Sequence, residues 1–287
     1  MPAPLDAALA DVRNRLGSSI LARVAGPSPR PPAGLLADDT VRRFPAGSPI
    51  TTVHGDASMF VGGLSALLLQ ALHPLAMAGV AEHSDFRTDP WGRLARTSHF
   101  LALTTFGTVD EAAAAVDAVR AVHRRVRGVA PDGRRYSASD PHLVEWIHVA
   151  EMASFLAAQR RYGWCRLSPS DEDVYVAQAG EIARELGARD VPTTVAELGA
   201  ALEAFRPELV GTRAARDVAR YLLFEPPLPL PARAAYAPIA AAAVALLPRW
   251  ARWPLRLPWL PVTEATVVRA AGEAITRTIR WSLTGPR

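Results

Sequence analysis

Helix-capping signals repeat along this chain, and they constrain its fold more than any other feature. Thr108 followed by Glu111 has the pattern of a capping box and predicts a helix that runs to about Arg127. Similar signals, several with proline in the first turn, predict further helices that open at Asp140, Ser168, Thr194 and Thr263. Gly128 and Gly187 stand where helix C-caps are expected. No run of alternating residues is long enough for a strand, so the sequence predicts an all-α protein.

Composition excludes several kinds of chemistry. The chain has 287 residues, enough for one large domain or two small ones. Its one cysteine, Cys165, excludes an intramolecular disulfide and a cysteine-built zinc or iron–sulfur site, and favours a reducing compartment. All 32 basic residues are arginine, so a lysine Schiff base and a Walker phosphate loop are excluded. The net charge is only +4 and the arginines are dispersed, so we expect no nucleic-acid partner.

Two segments bear on membrane contact. Residues 58–81 are apolar and long enough to span a bilayer, but Gln70, His73 and Pro74 lie near the middle, which favours a buried core helix. Residues 249–260 mix tryptophan with arginine, a composition typical of a membrane interface; the alternative is that the tryptophans cover the core. The N-terminus lacks the pattern of a signal peptide. The sequence therefore predicts a cytoplasmic protein, with peripheral membrane contact left open.

Two segments interrupt the helical pattern. Residues 25–50 are rich in proline, glycine and aspartate and predict an extended, wrapping segment. Residues 225–232 contain four prolines and predict a rigid connection to an apolar helix over about 234–247.

Common catalytic motifs are missing. The sequence has no HExxH, no Gly-x-Ser-x-Gly and no GxGxxG after a strand, so a zinc protease, a serine hydrolase and a dinucleotide enzyme have no support. Glu145 and His148 form one Glu-x-x-His pair, as in di-iron carboxylate bundles. A di-iron site needs a second such pair, which the sequence lacks, so this interpretation ranks last.

One arrangement suits a haem. On a single helix, Arg120 and Arg127 flank His123 at i−3 and i+4, so an imidazole ligand and propionate-binding guanidinium groups share a face. A second predicted helix, from about Trp91, places three further polar side chains on one side, namely Arg93, Arg96 and Thr97. The alternative is that the arginines face water and that His123 only caps a helix C-terminus.

The order of four segments resembles the MpaB/rubber-oxygenase family, which includes the latex-clearing proteins. These segments are LLLQALHPLAMAGVAEHSDF (68–86), DPWGRLARTSHFLALTTFGT (89–108), VHRRVRG (122–128) and YSASDPHLVEWIH (136–148). The resemblance runs from about His54 to about Pro248. It implies a multi-helix single domain that encloses a haem-sized apolar pocket, one b-type haem, and dioxygen chemistry.

The resemblance also implies roles for individual residues. His123 matches the proximal iron ligand, and Arg93 and Thr97 match an Arg-x-x-Lys-Thr motif. This chain has Arg96 at the lysine position, and a guanidinium is not an iron ligand, so the distal side should differ. Glu82 is the candidate base. The remaining expected haem contacts are Arg96, Arg127 and His73, whereas His83 is a further candidate and Trp146 and His148 are expected to support the pocket.

Together these inferences predict a haem-b-dependent oxygenase that acts with O2 on an apolar organic substrate. Residues 51–287 would form the catalytic domain, and residues 1–50 would form an N-terminal helix and the wrapping segment. The alternative is a non-catalytic haem- or lipid-binding helical protein. The substrate and the oligomeric state do not follow from the sequence.

Overall fold

The computed structural model describes residues 10–19, 41–84 and 87–283. Most of the wrapping segment predicted for 25–50 therefore lies outside the described residues. The described helices are α1 (10–19), α2 (Pro49–His54), α3 (Met59–Gln70), α4 (Pro74–His83), α5 (Pro90–Phe106), α6 (Val109–His123), α7 (Pro141–Tyr162), α8 (Pro169–Leu186), α9 (Val195–Phe205), α10 (Arg213–Phe224), α11 (Leu230–Leu246), α12 (Arg249–Arg252), α13 (Pro261–Thr263) and α14 (Arg269–Leu283). The prediction of an all-α fold is confirmed.

The predicted caps are confirmed at the atomic level. Thr108 Oγ1 accepts from the Glu111 backbone N–H, and the Glu111 carboxylate accepts from the Thr108 N–H, which completes the capping box of α6. The side chains of Asp140, Ser168 and Thr194 likewise accept backbone N–H groups in the first turns of α7, α8 and α9. These caps accept hydrogen bonds from the backbone N–H groups that have no partner at the start of a helix. Because the capping residue is close in sequence to these groups, the start of a helix can be predicted from the local sequence.

The core is built around α3 and α7, which pack closely along their length. Trp146 of α7 and Leu68 of α3 are fully buried. A Cβ at Gly62 would stand 3.0 Å from that of Ala158, so glycine permits the close approach of the two helices. Because α7 is buried on most sides, it carries polar groups of its own into the core, among them Glu145 and His148.

The apolar segment 58–81 forms two helices rather than one. The axes of α3 and α4 meet at 106°, and the break falls just before His73 and Pro74. The expected core location is confirmed at Leu68, Leu69 and Leu72, which are buried. Within the described residues no single helix is long and apolar enough to cross a membrane; α3 and α4 pass that test only as a bent pair.

A small hairpin replaces the predicted end of α6. The helix stops at His123, and Arg127–Val129 (β1) pairs antiparallel with Arg135–Ser137 (β2). The predicted C-cap role of Gly128 is therefore wrong, because Gly128 pairs with Tyr136 inside the hairpin. Tyr136 is buried against α4 and Val126, and this tertiary packing outweighs the local preference for another helical turn. At Gly187 the C-cap is confirmed, with φ of +112°.

The last third of the chain departs from expectation in detail. The helix predicted from about 234 begins at Leu230, so the rigid connection is short and Pro231 lies in the first turn, where proline is tolerated. The helix predicted from Thr263 to about Trp281 is interrupted by a π-helical turn at Glu264–Val268. Within 249–260 Trp250 packs on the core, whereas Trp253 is 87% exposed, and membrane contact through this segment stays a prediction.

Candidate functional site

Three chain segments that carry predicted site residues converge. Helices α5 and α6 pack together and are joined by the two residues Gly107 and Thr108, so they run antiparallel. Arg93 and His123 lie at nearly equal distances along the chain from this connection, which places them at the same end of the pair. The C-terminal half of α4 packs against the hairpin that follows α6. Glu82, Arg93 and His123 thus lie on neighbouring helix ends.

Glu82 is tied to the hairpin by Tyr136. The Tyr136 hydroxyl donates to Glu82 Oε2 in a very short hydrogen bond. Burial, together with this bond, raises the pKa of Tyr136 to about 12. A Cβ on Gly128 would stand 2.5 Å from the Tyr136 hydroxyl and 2.8 Å from Glu82 Oε2, so only glycine leaves room for the contact. Gly128 is therefore a site-forming residue, in a role that its sequence did not indicate.

Arg93 is half-buried and donates to the hydroxyl of Ser84, at the end of α4, over 2.7 Å. It pairs with no carboxylate of the described residues, and burial lowers the pKa of its guanidinium. Thr97 lies one turn later and its hydroxyl donates to the Arg93 carbonyl. Arg96 points to the surface, where it pairs with Asp89 at 3.3 Å.

His123, the expected iron ligand, ends α6 and is half-buried. Its Nδ1 is buried and has no hydrogen-bond partner in the part of the chain that the structure describes. Burial lowers its pKa, which favours the neutral imidazole that binds metals. A ring that merely capped the helix C-terminus would donate to a carbonyl; this nitrogen does not.

The chain around His123 is rich in exposed arginines. Along the described residues, several of them at this end of α6 and in the hairpin form no ion pair, namely Arg120, Arg124, Arg125, Arg127 and Arg135. Guanidinium groups without a carboxylate partner suit a ligand that carries carboxylates. Half-buried apolar side chains at the corresponding ends of α4 and α5, such as Val80 and Leu94, add apolar surface to this region. The enclosed pocket of haem size stays a prediction.

His73 lies at the other end of α4. It caps that helix, and its ring is near His142 of α7 and Glu208 of the 3-10 turn Arg206–Glu208 that follows α9. Within the described residues it contacts none of the other six residues predicted to bind haem or act in catalysis, although its ring centroid lies 6.1 Å from that of Trp146. Those six lie on the neighbouring helix ends and the start of the hairpin, and His73 does not.

Several other polar residues stand out in the structure, of which His83 and His148 were already candidates from the sequence. Tyr136 and His142 belong to the fourth family segment and were available to sequence reasoning, whereas nothing marked Glu208. Burial raises the pKa of Glu151 on α7 to about 7. His148 Nε2 is buried and has no hydrogen-bond partner among the described residues, and burial lowers the pKa of that ring to about 4. His83 lies with its ring centroid 6.1 Å from that of Tyr136.

Fold and site together define an all-α domain in which one group of neighbouring helix ends carries a half-buried histidine, exposed arginines and a carboxylate that accepts a hydrogen bond from a tyrosine. The chain belongs to the family of the ER-bound oxygenase mpaB/B' and rubber oxygenase catalytic domain, whose model matches residues 51–281. This confirms the suspected family. No curated protein and no solved structure matches the chain significantly.

Proposed function

We propose that this protein is a haem-b-dependent oxygenase that acts with O2 on an apolar organic substrate. Its family is that of an oxygenase catalytic domain. The observation that carries the haem assignment is the buried Nδ1 of His123, which lacks a partner within the described residues. In this proposal residues 51–287 form the catalytic domain, and residues 1–50 add a helix and a wrapping segment.

The residues around His123 fit a haem. His123 would bind the iron through its imidazole, and Arg127 and Arg93 would bind the propionates, since neither pairs with a described carboxylate. Thr97 supports Arg93 through the carbonyl of that residue. Arg96 is held at the surface by Asp89, so its contribution would be charge rather than a bond to iron.

In this proposal Glu82 would accept a proton from substrate. One carboxylate oxygen accepts from Tyr136, whose raised pKa keeps the phenol protonated near neutral pH and therefore a donor. This fixes the orientation of the carboxylate and leaves its second oxygen available. Haem b, when bound, supplies the activation of O2; the chain supplies the oriented base, the cationic rim and the apolar surface.

The test measures haem binding directly. Wild-type protein, His123→Ala and His99→Ala are supplemented with haem, freed of excess, and examined by absorption spectroscopy and pyridine haemochrome assay. His99 is exposed on α5 and serves as the matched control. We expect wild type and His99→Ala to bind about one haem per chain and His123→Ala to lose it, with an unchanged helical circular dichroism spectrum. Full haem retention by His123→Ala would overturn the ligand assignment.

Two other functions have weaker support. A wild-type protein that binds no haem after supplementation would favour the non-catalytic, lipid-binding alternative. The di-iron alternative rests on Glu145 and His148, which are not part of any described group of three metal-ligating side chains. Iron without haem in the purified protein would favour it instead.

We further propose peripheral membrane contact through residues 249–260. Trp253 is 87% exposed and Leu260 53% exposed, and the segment also carries Arg249 and Arg256. Exposed tryptophan beside arginine suits the interface of an anionic bilayer. Co-sedimentation with phosphatidylserine-containing vesicles should fall several-fold for Trp253→Ser. Trp164→Ser, at a tryptophan elsewhere on the chain that is 68% exposed, should behave as wild type; equal loss in both variants would contradict the assignment.

A further inference from the structure

We propose that His73, His142 and Glu208 bind a divalent transition-metal ion such as Zn²⁺, at a site separate from the haem. The three residues come from three parts of the fold: the start of α4, the start of α7, and the turn after α9. They form the one group of three or more metal-ligating side chains within the described residues. Two imidazoles and a carboxylate are a donor set that zinc accepts.

The distances fit coordination of a single ion. One ligand atom from each residue lies within 4.8 Å of the other two. His142 Nε2 is 2.8 Å from Glu208 Oε1, and His73 Nε2 is 3.4 Å from Glu208 Oε2. Zinc bonds of about 2.0–2.1 Å in a tetrahedral arrangement put neighbouring ligand atoms about 3.3 Å apart. The observed spacings therefore leave room for an ion after small side-chain movements.

His73 supplies a second, independent observation. Its side chain is fully buried, and within the described part of the chain its Nε2 makes no well-formed hydrogen bond, its contact to Glu208 Oε2 being 3.4 Å long. A buried ring nitrogen that is so poorly satisfied is costly, and a metal ion would satisfy it. Coordination at Nε2 moves the ring proton to Nδ1, which now accepts from the Ala76 N–H at 3.4 Å. That hydrogen bond is long and would open at small cost.

The site is open on one side. His142 and Glu208 have exposed side chains, whereas Trp146 and Phe205 wall the inner side. A three-ligand site with one wet face leaves the fourth position for water. The ion would lie about a helix length from Glu82, because His73 and Glu82 stand at opposite ends of α4. This gives His73 a role distinct from haem binding and links α4, α7 and the Arg206–Glu208 turn.

The experiment measures zinc directly. Tag-free protein, loaded with haem except in the His123→Ala variant, is stripped with EDTA, dialysed against a series of ZnCl2 concentrations and analysed by ICP mass spectrometry. We expect one zinc per chain in wild type and in His123→Ala. Binding should be at least about tenfold weaker in His142→Ala and Glu208→Gln, since even outer-shell partners are worth about 10–100-fold. Glu203→Gln, which removes a neighbouring carboxylate paired with Arg206, is the matched control and should bind as wild type.

A stability readout accompanies the zinc measurement. Saturating zinc should raise the Tm of wild type and Glu203→Gln but leave those of His142→Ala and Glu208→Gln unchanged. Wild type that binds well under one zinc per chain would overturn the proposal. So would unchanged zinc affinity in Glu208→Gln. Loss of zinc together with haem in His123→Ala would show that the metal belongs to the haem region instead.

Discussion

Three imidazoles are held in the core away from water: His54, His73 and His148. Burial lowers the pKa of His54 to about 3 and that of His148 to about 4, and it also lowers the pKa of His73. These rings are therefore neutral in the folded protein at neutral pH. Of the three, only His54 has both nitrogens in hydrogen bonds within the described residues, to Thr105 at 2.8 Å and Tyr175 at 3.3 Å. A satisfied ring of this kind is structural, whereas unsatisfied ones suit ligands.

His54 should make the fold sensitive to acid. Its pKa is about 3 in the folded state and about 6.5 in an unfolded chain, so unfolding takes up a proton between these values. Its contribution to stability is complete above about pH 6.5 and falls by about 1.4 kcal/mol per pH unit below it. In His54→Gln this contribution is absent. Urea denaturation at pH 7.5 and 5.5 should show a loss about 1.4 kcal/mol smaller in the variant than in wild type.

Other groups titrate in the same pH range, but their contributions cancel when the wild type is compared with His54→Gln. His148 adds a loss of the same sign, whereas Glu151, with a raised pKa, adds the opposite sign. Both are present in wild type and variant alike. An equal loss of stability in the two proteins would contradict the burial of a neutral His54.

At the scale of elements, the hairpin of β1 and β2 is the feature that shapes the candidate site. It is only three residues a side, yet it holds Tyr136 against α4 and Glu82. A two-stranded hairpin alone is marginal in water, so it depends on this packing. The contact in turn depends on Gly128, opposite Tyr136.

Gly128→Ala should therefore destabilise the hairpin and displace Glu82. The added methyl group would overlap the Tyr136 hydroxyl, and such overpacking costs about 1–3 kcal/mol in free energy of unfolding. Tyr136→Phe removes the clashing oxygen, so the double variant should lose less than the sum of the single losses. Urea denaturation measures all three proteins.

Gly199→Ala on α9 is the matched control. A Cβ there meets nothing within 4 Å, and alanine favours a helix interior over glycine by about 1 kcal/mol. The control should be neutral or more stable than wild type. Equal changes in the free energy of unfolding at Gly128 and Gly199 would show that the close approach of Gly128 to Tyr136 does not affect stability.

Most helix starts could be predicted from the sequence, as could the end of α8 at Gly187, whereas the end of α6 and the directions of the helices could not. The cap of α6 lies within three residues of Thr108, so its signal is local. The end of α6 is decided by Tyr136 packing on α4, a contact between residues 54 apart in the chain. The bend between α3 and α4 has a local marker in His73-Pro74, but its 106° direction is set by what the two helices pack against.

At the scale of the whole molecule, the candidate site also combines features that could be predicted from the sequence with features that could not. The order of family motifs was enough to predict the family, now confirmed, and to select Glu82, Arg93 and His123, which the structure places on neighbouring helix ends. The relation of His73 to Glu208 was beyond sequence reasoning, because a single carboxylate in a distant turn has no motif. Charge pairs between distant residues likewise have no sequence signal. The pair between Asp56 and Arg280 spans 224 residues.

That pair joins the C-terminal helix α14 to the turn before α3. Arg280 donates to both oxygens of Asp56, at 2.9 and 3.0 Å, and to the Tyr162 carbonyl. The Asp56 side chain is 1% exposed. Arg280→Met would leave this carboxylate buried without its cation, which costs about 3–5 kcal/mol. Urea denaturation should show that loss, with an unchanged dependence on urea concentration.

The double variant Asp56→Asn with Arg280→Met should recover part of this stability, since the amide is neutral and its oxygen can still accept from the Ser58 N–H. Arg15→Met breaks an exposed pair with Asp11 and should cost well under about 1 kcal/mol. A double variant no more stable than Arg280→Met would mean that the lost contacts of Arg280, rather than the stranded charge, carry the energy. In that case α14 is held against the turn before α3 by the packing of the helix, not by its arginine.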